Sequence, residues 1–367
     1  MSLCFDITQF TRMPMASGIQ RVLLQIAERC ADDDRFAVMC RDGAHLLTPD
    51  AADMLIRSRF DSTWRGPLWW SATDVALGRL TTDEIGDRFD AYVFAELTYD
   101  RETLDRWQEL IDVHPDRVGA IFYDATPETH RELFGVQPPA GAGRYFRMVA
   151  TLDRVACISH GARRELAQIA RRDETEFDVA PLGGDHLPVA DAGDPPTSFV
   201  VLGDLKAKKR VDIVLEAFER VRDEVDVDLV IIGRSIEGED RIAGLVRSAS
   251  AGPRVTWLSE ATDADVSEQL GRAVAGAFVA GEEGFGLPAL ELLHAGVPIV
   301  VDATLPSLRY VDDHGQIRLE HVDVASVAEA IVRLVGAERD RFRGDAENVA
   351  VPSWDTFMTS IREVMTR

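Results

Sequence analysis

Cysteine is scarce: 367 residues hold four, Cys4, Cys30, Cys40 and Cys157. None stands in a CxxC pair or at a metal-ligand spacing. A disulfide framework and a cysteine-held metal are therefore set aside, and reduced thiols of a cytoplasmic protein are expected. Basic residues are also few, 40 Lys+Arg against 63 Asp+Glu, for a net charge of −23. Nucleic acid selects basic surfaces, so it is not expected as a partner. Long apolar runs are missing: none approaches the ~18 residues that span a bilayer. The start, MSLCFD, lacks the basic and apolar regions of a signal peptide. Any membrane contact is expected to be peripheral, on the inner face.

Several catalytic signatures are absent as well. There is no GxGxxG after a strand, which removes the dinucleotide fingerprint, and no GxxxxGK[ST], HExxH or GxSxG. Asp226-Val-Asp228 matches a metal-binding DxD, but acids fill much of this chain and this pair merely precedes a strand. No metal and no cofactor are expected.

What is present is alternation. Short apolar runs at 3–7, 37–40, 91–94, 119–122 and 154–158 alternate with helical patterns, the sign of βαβ units and parallel sheets. The clearest early helix follows Ser17, with Ile19, Val22, Leu23, Ile26, Ala27 and Cys30 on one face. The Pro-, Gly- and Asp-containing stretch 188–197 reads as a linker. Beyond it, strands are predicted at 198–202, 228–232, 254–258, 275–279 and 299–301, with helices at 211–222 and 354–365. This gives two Rossmann-like domains, 1–190 and 198–350, with a final segment 353–367 packing back on the first.

The most informative stretch is 281–298, GEEGFGLPALELLHAGVP. It leaves a predicted strand through a glycine-rich turn and enters a helix, with Pro288 at a tolerated first-turn position and Gly296 where the helix should end. Gly284 and Gly286 let backbone N–H groups approach a ligand, and the helix N-terminus favours an anion. Glu283 and Glu291 bracket the turn, and carboxylates accept hydrogen bonds from paired sugar hydroxyls. In an acidic chain two glutamates alone would mean little; they could merely complement the helix dipole.

This order of residues resembles the retaining glycosyltransferase family 4 of the GT-B fold, whose two Rossmann-like domains with parallel sheets face one another. The resemblance implies that Glu291 binds the nucleotide ribose and Glu283 the transferred sugar, with Phe285 and Leu287 completing the donor turn. It also implies a nucleotide-sugar donor and a glycan or lipid-linked acceptor.

A basic loop, GDLKAKKRVD at 203–212, places Lys206, Lys208, Lys209 and Arg210 before a helix, where the dipole disfavours cations. An anion such as a diphosphate would complete it; a solvated charge run is the bland reading. The family has a similar loop whose lysine binds the pyrophosphate, and Lys209 occupies that place. Asp204 departs from the pattern, where an arginine is usual, and Lys206, Lys208 or Arg234 is expected to compensate. The segment 258–261, including Ser259, is expected to line the base pocket.

In the first domain, Ser17 is expected to cap a helix and leave Gly18 free to approach the donor phosphates. The segment 121–128, IFYDATPE, looks like an active-site region of the bacterial mannosyltransferase subgroup, with Tyr123 in place of its histidine. Asp124 is the catalytic candidate there, while Tyr123 has both an active-site and a packing reading. The subgroup likeness tilts the donor toward GDP-mannose and the pathway toward cell-surface polysaccharide. The stretch 57–70 gathers three Arg and three Trp. That suits a membrane-surface acceptor site, although core packing is the preferred reading. A catalytically silent homologue and a sugar-nucleotide epimerase of the same fold are the alternatives.

Overall fold

The computed structural model describes residues 2–15, 17–61, 68–129, 140–189, 196–236 and 238–367. They divide into two compact units, one of Met1–Leu182 with Trp354–Arg367, the other of Gly183–Ser353.

The first unit holds β1 (Leu3–Asp6), β2 (Arg35–Cys40), β3 (Gly43–Leu47), β4 (Gly78–Leu80), β5 (Ala91–Phe94), β6 (Val118–Phe122), β7 (Arg154–Cys157) and β8 (Asp178–Val179). They form one sheet in the order β4-β3-β2-β1-β5-β6-β7-β8. Every pairing is parallel except those of β3 and β4. All residues of β1, β5 and β6 are buried, as expected where helices cover both faces. The antiparallel β3 and β4 were not expected from sequence. GAHLL is short and starts on glycine, and GRL has almost no burial pattern to read.

The closing helix Trp354–Met365 buries Trp354, Phe357, Met358, Ile361, Val364 and Met365, one face at helical spacing. It packs on β7 and on the helix Gly18–Arg29. The Arg154 guanidinium donates to the Met365 carbonyl at 2.8 Å. Arg362 pairs with Asp34, whose side chain is fully buried and also accepts from the N–H groups of Leu3 and Ala31. That buried charge is thus compensated on several sides, which such a group requires.

The second unit holds β9 (Ser198–Leu202), β10 (Asp228–Ile232), β11 (Val255–Leu258), β12 (Ala273–Phe278), β13 (Ile299–Asp302) and β14 (Gln316–Leu319). All pairings are parallel, and the order is β11-β10-β9-β12-β13-β14. The period-2 alternation of β9 sends Phe199 and Val201 into one core and Val200 and Leu202 into the other. The chain builds outward from β9 to β11, then returns to lay β12 on the other side of β9. Connections therefore diverge there, leaving a crevice at the carboxyl ends of β9 and β12, where doubly wound sheets bind their ligands. Among the described residues, no helix is long and apolar enough to cross a membrane.

Candidate functional site

The two motifs singled out in the sequence leave the two strands that flank this crevice. The basic loop follows β9, and the glycine-rich acidic turn follows β12. Hydrogen bonds lock the loops together: Gly281 N–H donates to the Lys208 carbonyl at 2.9 Å, and the Lys208 ammonium reaches the Glu282 carbonyl at 3.2 Å. Lys209 Nζ lies 2.9 Å from Glu283 Oε1, with Lys208 Nζ at 3.5 Å from the same oxygen. The Lys209 ammonium also sits 4.7 Å from the Phe278 ring centre, a contact that fixes it further.

The other cations are used differently. Arg210 takes a left-handed backbone, φ 52°, at the start of the helix Val211–Val221. Its guanidinium crosses to Asp302 at 2.7 Å and to the Val279 carbonyl. It staples the loops and lines a 440 Å³ cavity with Gly281, Glu282, Asp302, Thr304 and His321. Glu282 is also left-handed, φ 48°; such residues cost on the order of 1 kcal/mol each and gather at ligand sites. Arg234 forks onto Asp204, at 3.0 Å and 2.8 Å. The acid that departs from the expected pattern is therefore half of an ion pair, and Arg234 is the other half.

Lys206 is half-buried. Burial, joined by the ammoniums of Lys208 and Lys209, holds it below the ordinary lysine value against the pull of Asp204. An anion in this loop would relieve that repulsion.

The acidic motif forms the helix Leu287–His294, capped by Gly286 at φ 98° with Pro288 in the first turn. Past its end, Gly296 at φ 67° donates to the Leu293 carbonyl, which is the stop expected from sequence. Phe285 and Leu287 are buried, and Phe285 packs on the Tyr310 ring. Their side chains therefore brace the turn, and Gly286 is buried with them: a Cβ there would stand 2.4 Å from Leu305 Cδ1, and its carbonyl accepts from Ser307 Oγ at 3.2 Å. Glu291 faces His186, Nε2 to Oε1 3.4 Å. Ser259 is half-buried just past β11, where Trp257 Nε1 donates to the Gly233 carbonyl.

In the first unit, Ser17 Oγ accepts from Gln20 N–H at 3.3 Å, and nothing crowds the position of a Cβ on Gly18. Asp124 is half-buried and accepts from Thr126 N–H at 3.0 Å, an Asx turn after β6. Tyr123 is buried and its hydroxyl donates to the Ala95 carbonyl at 2.7 Å, a packing position. Two acids that sequence reasoning missed lie at the carboxyl ends of β1 and β5, where this sheet also reverses order. Asp6 accepts from the Tyr92 hydroxyl and Trp107 Nε1. Glu96 accepts from Phe10 N–H at 2.6 Å, and burial pushes its carboxyl up to about 8. Neither could be found from sequence: Asp6 closes the apolar strand β1, and Glu96, two residues past β5, looks like an ordinary loop acid.

The sequence spacing also hid one grouping. Cys40, Asp42 and His45 bring ligand atoms within 4.8 Å of one another at the β2–β3 turn. Asp42 spends its oxygens on His45 and Arg79, at 3.0 Å and 2.8 Å. Within the Arg- and Trp-rich stretch, Arg57 is spent on Asp53 and Glu28. Trp64 and Arg65 lie outside the described residues, as do residues 190–195 of the expected linker.

Residues 189–348 match the family model "Glycosyl transferases group 1". Among curated proteins, the serotype-specific mannosyltransferase WbdA of Escherichia coli is 28% identical over 106 residues. That stretch is 28% of this chain and only 13% of the relative. Among solved structures, Anabaena Alr3699/HepE in complex with UDP-glucose superposes with a TM-score of 0.66 at 14% identity, covering 99% of this chain and 98% of that one. A UDP-forming α,α-trehalose-phosphate synthase from Burkholderia xenovorans, with glucose-6-phosphate, gives 0.63 at 12% identity over all of both chains. The fold is GT-B: two domains, the second on a parallel sheet and the first on a largely parallel one.

Proposed function

We propose that this chain is a retaining glycosyltransferase that moves a hexosyl group from a nucleoside diphosphate sugar to a glycan or lipid-linked acceptor. The observation that carries this reading is the meeting of the two loops at the strand-order reversal of the second unit, with Lys209 2.9 Å from Glu283. The group 1 family match over residues 189–348 supports it.

In this reading the bond from the anomeric carbon to the diphosphate oxygen breaks while one forms to the acceptor hydroxyl oxygen, whose proton leaves with the diphosphate. Lys206, Lys209 and the backbone N–H groups of the turn at Gly284 and Gly286 stabilise the charge that develops on the diphosphate. Glu291 holds the ribose and Glu283 the hexose. The chain's own ammoniums supply the positive charge, so no metal is invoked. The relative, by name a serotype-specific mannosyltransferase, favours mannose, whereas HepE is seen with UDP-glucose. Both bases therefore belong in any screen.

The test is release of nucleoside diphosphate from UDP- and GDP-hexoses, with the anomeric form of freshly released sugar followed by NMR. One base class should turn over, and the α-linked donor should release the α anomer first. A β anomer would overturn retention. Tyr123, packed against Ala95 where the likeness leads one to look for a histidine, favours a silent homologue as the second reading; binding of nucleotide with no turnover would select it.

A further inference from the structure

Glu283 and Glu291 each have a nitrogen partner delivered by a separate segment. For Glu283 these are Lys208 and Lys209. For Glu291 it is His186, which stands only four residues into the second unit and belongs to neither motif.

The approach of that segment is fixed at several points. Gly184 N–H donates to the Pro352 carbonyl at 2.9 Å. A Cβ on Gly184 would stand 2.6 Å from the Leu290 Cβ, so a glycine is needed for the chain to lie this close to the helix carrying Glu291. Leu187 is buried in the same core as Leu292 and Leu293 of that helix. His186 is held between these anchors, its side chain 2% exposed while Glu291 keeps 13%. The imidazole is thus the inner member of the pair and the carboxylate the outer one. Both side chains are largely enclosed, the carboxylate slightly less so than the ring.

We infer that His186 is a positioning residue, whose Nε2, 3.4 Å from Glu291 Oε1, aims the Glu291 carboxylate at the ribose hydroxyls of a bound nucleoside diphosphate. A carboxylate that grips a vicinal diol needs a defined orientation, and a carboxylate with free rotation about its last bonds loses binding to ordering. A nitrogen set 3.4 Å from one oxygen narrows that freedom by charge and close contact. The inference rests on the reading of Glu291 as the ribose ligand.

The test compares UDP and GDP with their 2′,3′-dideoxy counterparts by calorimetric titration, in the wild-type protein and in His186→Ala, His186→Gln and Glu291→Gln. Wild type should prefer the ribonucleotide of one base. In His186→Ala that preference should shrink about tenfold, as the close nitrogen contact at the Glu291 carboxylate is lost, with the affinity for the dideoxynucleotide nearly unchanged. His186→Gln, which can present a nitrogen at a similar reach, should recover most of it. In the Glu291→Gln background, His186→Ala should change the preference less than about twofold, because the two losses share one contact. Should His186→Ala lose its cooperative unfolding, His186→Leu keeps the volume and takes its place. A preference unchanged in His186→Ala, or both nucleotides weakened equally, would overturn the positioning role alone. A wild-type protein that does not distinguish ribo- from dideoxynucleotides would overturn the ribose reading of Glu291 and this inference with it.

Discussion

Lys209→Ala lowers donor turnover by about 10²–10³-fold, the loss seen when one preorganised donor to a developing anion is removed. The ammonium is fixed before any ligand arrives, by Glu283 Oε1 at 2.9 Å and by the Phe278 ring. A charge held this way needs little reorganisation as the diphosphate departs. The loss should fall mainly on kcat, because the anion gains charge in the transition state. Lys208, 3.5 Å from the same Glu283 oxygen, keeps the acid paired in the variant, so the fold survives. Steady-state kinetics at saturating donor measure the effect. A change in kcat under about threefold would remove Lys209 from the chemistry.

Gly233→Ala destabilises the second unit by about 3 kcal/mol, in the range of severe packing conflicts. The position lies just past β10, and a Cβ there would stand 1.9 Å from the Gly203 carbonyl oxygen. That oxygen is backbone and cannot swing away. It is tied down because Gly203 N–H donates to the Ile232 carbonyl at 2.9 Å. Gly233 is held in turn: its N–H donates to the Leu258 carbonyl at 3.1 Å, and its own carbonyl accepts from Trp257 Nε1 at 2.9 Å. Relief must therefore come from a shift of Gly203, which heads the basic loop, so nucleotide affinity should fall along with stability. Urea unfolding reads the first effect and titration with nucleotide the second. An unfolding midpoint equal to wild type would contradict the packing argument.

How much of this was legible in the sequence differs between the units. In the second, strands expected at 198–202 and 228–232 lie at those residues, and the others within two positions, because apolar runs buried on both faces are easily read. The chemistry of 281–298 was readable because glycine, proline and carboxylate each carry a local conformational requirement. The destination of each cation was not. Arg210 and Arg234 look like members of one basic loop and its neighbour, yet Asp302 and Asp204 claim them, and both acids are distant in sequence. His186 was invisible for the same reason: its partner lies 105 positions along the chain. In the first unit, β3 and β4 were missed because short strands with exposed residues have little periodicity to show. Glu96 gives no sign of its burial until β1 and β5 are laid side by side.

The central claim is that the second unit holds a nucleoside diphosphate between the basic loop and the Glu283–Glu291 turn. The most direct measurement is thermal unfolding of the wild-type protein and of Glu291→Ala in the presence of UDP, GDP, ADP and dTDP. At about 100 times Kd a ligand adds about 2.7 kcal/mol, which raises the midpoint by about 5–10 °C for a unit of this size. One base should produce that rise in the wild type, and Glu291→Ala should lose most of it while keeping its unliganded midpoint. A folded wild-type protein stabilised by none of the four, or a Glu291→Ala variant stabilised as strongly as wild type, would contradict the claim.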